Sequence, residues 1–287
     1  MLRIAFGLLS LALVSSPALA QDSTNPCTAY ITSIPYDINS PGHYCLKANL
    51  TTDSFRGVNI QSSDVTLNCR NRSMTTTVRS PGSDGIVIMG ELSNVTVQNC
   101  QVNNFDRGIN GNYRGTNLQV LNNHVDNAIS SGISVWGNET RVVNNRVTNT
   151  QHLPDQQSVG INLLPFEPET SAVGQELINN VVAGSRGNNQ IIGIQISGAT
   201  APRVVNNHVI DLQPAGSGWA VGMWLSGWAQ GATTTDVSLI NNTFSSRDPV
   251  TQGLWGQPKL CRGNIAVGLS QSGFANCLTN TGNTEIP

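Results

Sequence analysis

Charge is the scarcest property of this chain. Only 11% of its 287 residues are Asp, Glu, Lys or Arg, the formal net charge is −2, and just two lysines occur, Lys47 and Lys259. Such a chain has no basic field with which to hold nucleic acid or an anionic membrane surface. Its six cysteines form no C-x-x-C pair and no Cys/His cluster, so no metal site is expected. A phosphate-cradling glycine loop and a Ser/His/Asp elbow are also missing, and no cofactor is expected. Beyond the first twenty residues there is no apolar stretch of membrane-spanning length.

What is present begins with an export signal. Arg3 precedes an apolar run over residues 4–14, and Ala18-Leu19-Ala20 supplies the small residues that a signal peptidase reads. Cleavage would leave a secreted or periplasmic chain from about Gln21, and in that setting the cysteines favour disulfides. The 28 glycines and abundant asparagines suggest many tight turns.

Two short motifs then alternate along the chain. The first is Gly, apolar, any, apolar. It occurs as Gly57-Val58-Asn59-Ile60, Gly85-Ile86-Val87-Ile88, Gly132-Ile133-Ser134-Val135, Gly160-Ile161-Asn162-Leu163, Gly193-Ile194-Gln195-Ile196 and Gly222-Met223-Trp224-Leu225, with Gly108-Ile109-Asn110 degenerate. The second places two asparagines between apolar positions: Val120–Val125, Val142–Val147, Leu177–Val182, Val204–Val209 and Leu239–Phe244, with earlier relatives around Asn99-Cys100 and Asn68-Cys69. Successive motif glycines are 28, 23, 24, 28, 33 and 29 residues apart. A minimum near 23 with variable additions fits a solenoid coil whose turns accept insertions. Period-two alternation and frequent turn residues make each motif a short strand with one buried face. A β-sandwich also has many short strands, but it does not predict alternating motifs at near-constant spacing. The asparagine pairs are expected to hold corners, by tolerating left-handed backbone angles and by bonding up the stack.

Residues 57–244 resemble the right-handed parallel β-helix repeat proteins of the pectate-lyase-like superfamily, which includes NosD-type carbohydrate-binding and sugar-hydrolase modules. The segment from Ile31-Thr32-Ser33 to Tyr44-Cys45-Leu46 resembles the N-terminal segment of exported members. The resemblance implies an all-β, single-stranded right-handed parallel β-helix, here of about seven or eight coils. Residues 1–20 are then the signal peptide, 21–50 an N-terminal cap, 51–260 the β-helix and 261–287 a C-terminal cap. Cys27 with Cys45 and Cys261 with Cys277 would close the caps. Cys69 and Cys100 occupy matching places in neighbouring coils, about 4.8 Å apart and within disulfide reach.

The resemblance is specific for fold and nearly silent on reaction. The column read as outward-facing in the glycine motif holds Asn59, Asn110, Ser134, Asn162, Gln195, Ser197 and Trp224 but no charged residue, and the family's catalytic motifs are absent. On the second motif, His124 and Arg146 should be neighbours one coil apart, as a base and a carboxylate-neutralising group of a lyase would be. Insertions at 150–158, 165–176, 211–219 and 227–236 enlarge the coils of Gly160 and Gly222 and leave the Gly193 coil low between them. That suggests a groove floored by Asn162, Gln195, Ser197 and Trp224, with His152, Asp155, Glu167, Glu169, Trp219 and Trp228 on its walls. Indole faces beside amides suit neutral sugar rings. The expected function is polysaccharide binding, or lyase or hydrolase action, by a monomer. The rival is a non-catalytic structural or adhesive rod.

Overall fold

The computed structural model describes residues 26–111, 114–151, 157–167, 169–227, 231–248 and 251–286. Each coil visits three parallel sheets of nine, eleven and ten strands. All seven copies of the glycine motif lie in the nine-stranded sheet, from Arg56–Ile60 to Trp219–Ser226. Tyr36–Ile38 precedes them and Thr251–Trp255 follows. Ile109, Ile133, Ile161, Ile194 and Met223 stand in register down this sheet. All five are fully buried, and their column joins a single core that runs from Ile31 to Phe274.

The motif glycine is required by a close approach. A Cβ at Gly132 would lie 2.3 Å from Val147 Cγ1 and 2.7 Å from the Gly160 carbonyl oxygen. At Gly160 the same two neighbours, Val182 Cγ1 and the Gly193 oxygen, would be 2.4 and 2.6 Å away. The glycine therefore sits hard against the valine and the glycine carbonyl of the next coil, and its missing side chain would have pointed into the core. The residue before it faces outward, in a column of Arg56, Asp84, Arg107, Ser131, Val159, Ile192 and Val221.

The double-asparagine motif rounds the corner from the eleven- to the ten-stranded sheet, and its two members do different work. Asn122, Asn144, Asn179, Asn206 and Asn241 take left-handed backbone angles, with φ between 53° and 57°. The second asparagines turn inward and form a ladder through Asn123, Asn145, Asn180, Asn207, Asn242, Asn264 and Asn283, with Nδ2–Oδ1 distances of 2.8–3.1 Å. Asn180 shows the rule. Its Oδ1 accepts from the backbone N–H and Nδ2 of Asn145, and its Nδ2 donates to the Val142 carbonyl and to Asn207 Oδ1. The amide is thus fully satisfied although wholly buried.

At its N-terminal end the ladder passes into a disulfide. The backbone N–H of Cys100 donates to Asn123 Oδ1, and Cys100 is bonded to Cys69 across a Cα separation of 4.7 Å. Cys27–Cys45 and Cys261–Cys277 are also formed, so all three expected pairings are present. Both segments expected to be caps carry strands of the main sheets. They include Gly42–Leu46 and Leu50–Thr52 at one end and Leu260–Arg262, Ile265–Val267 and Thr279–Thr281 at the other. The stack therefore exceeds the seven or eight coils marked by motifs, because the C-terminal strands repeat the asparagine motif only as Gly263-Asn264 and Gly282-Asn283. Phe274, on a single 3-10 turn, plugs the C-terminal end against Phe244, with ring centroids 6.3 Å apart.

Two substitutions test this construction by urea denaturation. Gly160→Ala should cost about 3 kcal/mol through overpacking against backbone and Val182. Asn180→Ala leaves several buried donors and acceptors unpaired and should cost about 3 kcal/mol as well. An unchanged midpoint in either variant would contradict the packing described.

Candidate functional site

The outer face of the glycine sheet changes character along the axis. Its central column, in register, is Asp37, Asn59, Val87, Asn110, Ser134, Asn162, Gln195, Trp224 and Trp255. The N-terminal part is charged. Arg107 grips Asp84 with both Nε and Nη2, at 2.7 and 3.0 Å, and Asn110 donates to the same carboxylate. Burial pushes the Asp84 carboxyl above its ordinary range, against the opposing pull of Arg107. Asp84 and Arg107 were not anticipated as outward-facing, because a strict period of two from the glycine places the preceding residue inside. The close-packed glycine breaks that alternation.

The C-terminal part is aromatic. Trp219, Trp224 and Trp255 lie within 5.4–6.0 Å of one another, centroid to centroid. Trp219 and Trp224 are half-buried against Val159, Ile192 and Val221, a small apolar cluster outside the solenoid core. Trp255 is 47% exposed. Packing and presentation are therefore divided, two indoles anchoring the cluster and the third facing solvent. Trp255 escaped the sequence reading because Gly253-Leu254-Trp255-Gly256 ends in glycine where the motif has an apolar residue.

Amide and hydroxyl groups adjoin the indoles. Gln195 donates to Ser197 Oγ at 3.1 Å and accepts from Gln157 Nε2 at 3.3 Å, while Ser197 and Ser226 share a 2.7 Å hydrogen bond. The Oδ1 of Asn162 is buried and has no hydrogen-bond partner among the described residues.

The flanking insertions form side walls, and they do so differently from the expected low coil between two high ones. Ala172–Val173 pairs with Ala199–Thr200, and Ser171 bonds Thr233, so the 165–176 and 227–236 insertions meet across the Gly193 coil. On the other side Arg186–Gly187 pairs with Gln213–Pro214. Short loops hydrogen-bond to their neighbours just as strands do, which closes the gap that loop length alone suggested.

Among the described residues, none of the other predicted site residues bonds to the indole cluster or its amide floor. His152, Asp155 and Trp228 lie outside the described residues. Glu167 is held 3.3 Å from Arg114 Nε, and Glu169 is exposed in the same loop. His124 and Arg146 are register neighbours, as expected, but on the ten-stranded sheet. There His124 Nε2 lies 3.0 Å from Thr148 Oγ1, which donates to Asp126 Oδ1.

Burial lowers the His124 pKa, Asp126 opposes the shift, and Arg146 adds to it. The folded state therefore prefers the neutral ring. Its contribution to stability is complete above the unfolded value of about 6.5 and is lost as pH falls below it. His124→Asn should flatten the decline in melting temperature below about pH 6.5; an equally steep decline would show that His124 is not its source.

Residues 37–165 match the family described as "Right handed beta helix region". No curated protein matches the chain in sequence. Among solved structures, the chain is similar to PfbA, a surface adhesin of Streptococcus pneumoniae, at 11% identity and a TM-score of 0.50, over 88% of this chain and 72% of that one. It is also similar to the catalytic domain of a GH87 alpha-1,3-glucanase in complex with nigerose, at 14% identity and a TM-score of 0.43, over 90% and 62% of the two chains. The Dettilon tailspike protein gives 13% identity and a TM-score of 0.39, over 89% and 60%. This chain thus spans less than two thirds of the length of the glucanase domain and of the tailspike. At such identities the likeness concerns architecture. The stacked three-sheet coils and the family match together give the chain the fold of a right-handed parallel β-helix.

Proposed function

We propose that the chain binds an uncharged polysaccharide on the outer face of its glycine sheet, at the tryptophan end. The observation that carries this reading is the cluster of Trp219, Trp224 and Trp255, with its third member facing solvent beside a floor of amides. Indoles offer flat apolar area to the C–H faces of sugar rings, and a few fixed amides orient the hydroxyls. The amide of Gln195 supplies that orientation. Hydrolysis of a glycosidic bond needs two flanking carboxylates, and the register column Ser134, Asn162, Gln195, Trp224 and Trp255 contains none. The reading is therefore binding. Three disulfides suit export to an oxidising compartment, extracellular or periplasmic. Among the described residues no helix is long and apolar enough to cross a membrane.

Trp255→Ala is the clean test, because that side chain contributes least to packing. Binding to a polysaccharide panel, followed by tryptophan fluorescence and affinity electrophoresis, should weaken about tenfold or more. The stability cost should stay near 1 kcal/mol. Full retention of binding by the variant would refute the platform. A wild-type protein that binds no polysaccharide would leave the rigid rod as a spacer or adhesive element.

A further inference from the structure

A cavity of about 350 Å³ opens beside the tryptophan cluster, at the turn that leaves the glycine sheet. That volume lies within the range of small-molecule sites. It is reached from both strands that carry the outer indoles. Ser226 lies two residues beyond Trp224, Gln257 lies two residues beyond Trp255, and both line the cavity. Between Trp224 and Ser226, within one strand, two residues of extended chain span about 7 Å, the width of one sugar ring. Leu225 and Leu278 form an apolar part of the wall, and Leu278 is 70% exposed although it is a large aliphatic residue.

Asp236 and Lys259 complete the lining. They form an ion pair of 2.9 Å with both side chains largely in solvent. An exposed pair of this kind contributes little to stability, so opening it for a ligand costs little. A carboxylate that accepts and an ammonium that donates, set side by side, match two adjacent hydroxyls of a single sugar. A cavity of this volume suits a one-ring substituent reaching sideways from a chain on the indoles.

We infer that this cavity is a branch pocket, and that the polysaccharide bound on the tryptophan face carries single-sugar side branches, one of which sits against Leu225 and Leu278 and bonds Asp236 and Lys259. The inference rests on the platform reading and narrows its ligand class from uncharged glycans to branched ones.

Three matched pairs of polysaccharides test it with the full-length protein: galactomannan against unbranched mannan, xyloglucan against hydroxyethyl cellulose, and arabinoxylan against unbranched xylan. In at least one pair the branched member should bind about tenfold tighter. Asp236→Asn, which keeps a residue tolerant of the left-handed backbone at that position, and Lys259→Met should each erase that preference and retain binding to the unbranched member. Trp255→Ala should weaken both members equally. Equal affinity within every pair overturns the pocket and leaves the platform standing, and so does a preference that survives both pocket variants. Failure to bind any of the six polysaccharides overturns both readings.

Discussion

The structure depends on one corner being made identically in every coil. A buried asparagine amide has two donors and an acceptor able to take two bonds, and a low-dielectric interior leaves no water to satisfy them. In this chain each amide is completed only by the coils above and below, as Asn180 is by Asn145, Val142 and Asn207. A coil displaced by one residue would leave its own rung and two neighbouring rungs unpaired. The cost of unmade bonds, more than the gain from made ones, holds the stack in register. Apolar columns alone would tolerate sliding between one valine and the next.

The glycine close to that corner adds a second constraint of a different kind. Contacts of 2.3–2.7 Å for a hypothetical Cβ leave no room for any side chain between Val125, Val147, Val182 or Val209 and the neighbouring glycine carbonyl. Hydrogen bonding thus sets the register and steric exclusion sets the distance. The outer face inherits its straight columns from both, and the in-line placement of Asn162, Gln195, Trp224 and Trp255 follows.

Much of this was legible in the residues themselves. Spacing and alternation announced coils, buried columns, the Cys69–Cys100 pairing and the role of the asparagine pairs, because each depends on a register that recurs at every repeat. What recurs only once was harder to read. The outward position of Asp84 and Arg107 follows from a break in alternation that only the crowding at Gly85 and Gly108 explains. Trp255 belongs to a strand whose motif is incomplete, and the corners at Gly263-Asn264 and Gly282-Asn283 replace the first asparagine of the pair by glycine. The meeting of Ser171 with Thr233 joins residues 62 apart, and nothing local in either loop encodes it.

The last rung differs from the others in a way that bears on how such a molecule could change in length over time. Asn283 donates back to the Cys261 carbonyl and to Asn280 of its own coil, where the earlier rungs donate to the asparagine of the next coil. The opposite end passes into the Cys69–Cys100 bridge. Between these two terminators every rung presents to the next the same groups it receives. Duplication or loss of a whole turn there would rejoin matching surfaces. Growth by internal copying is therefore open to this chain.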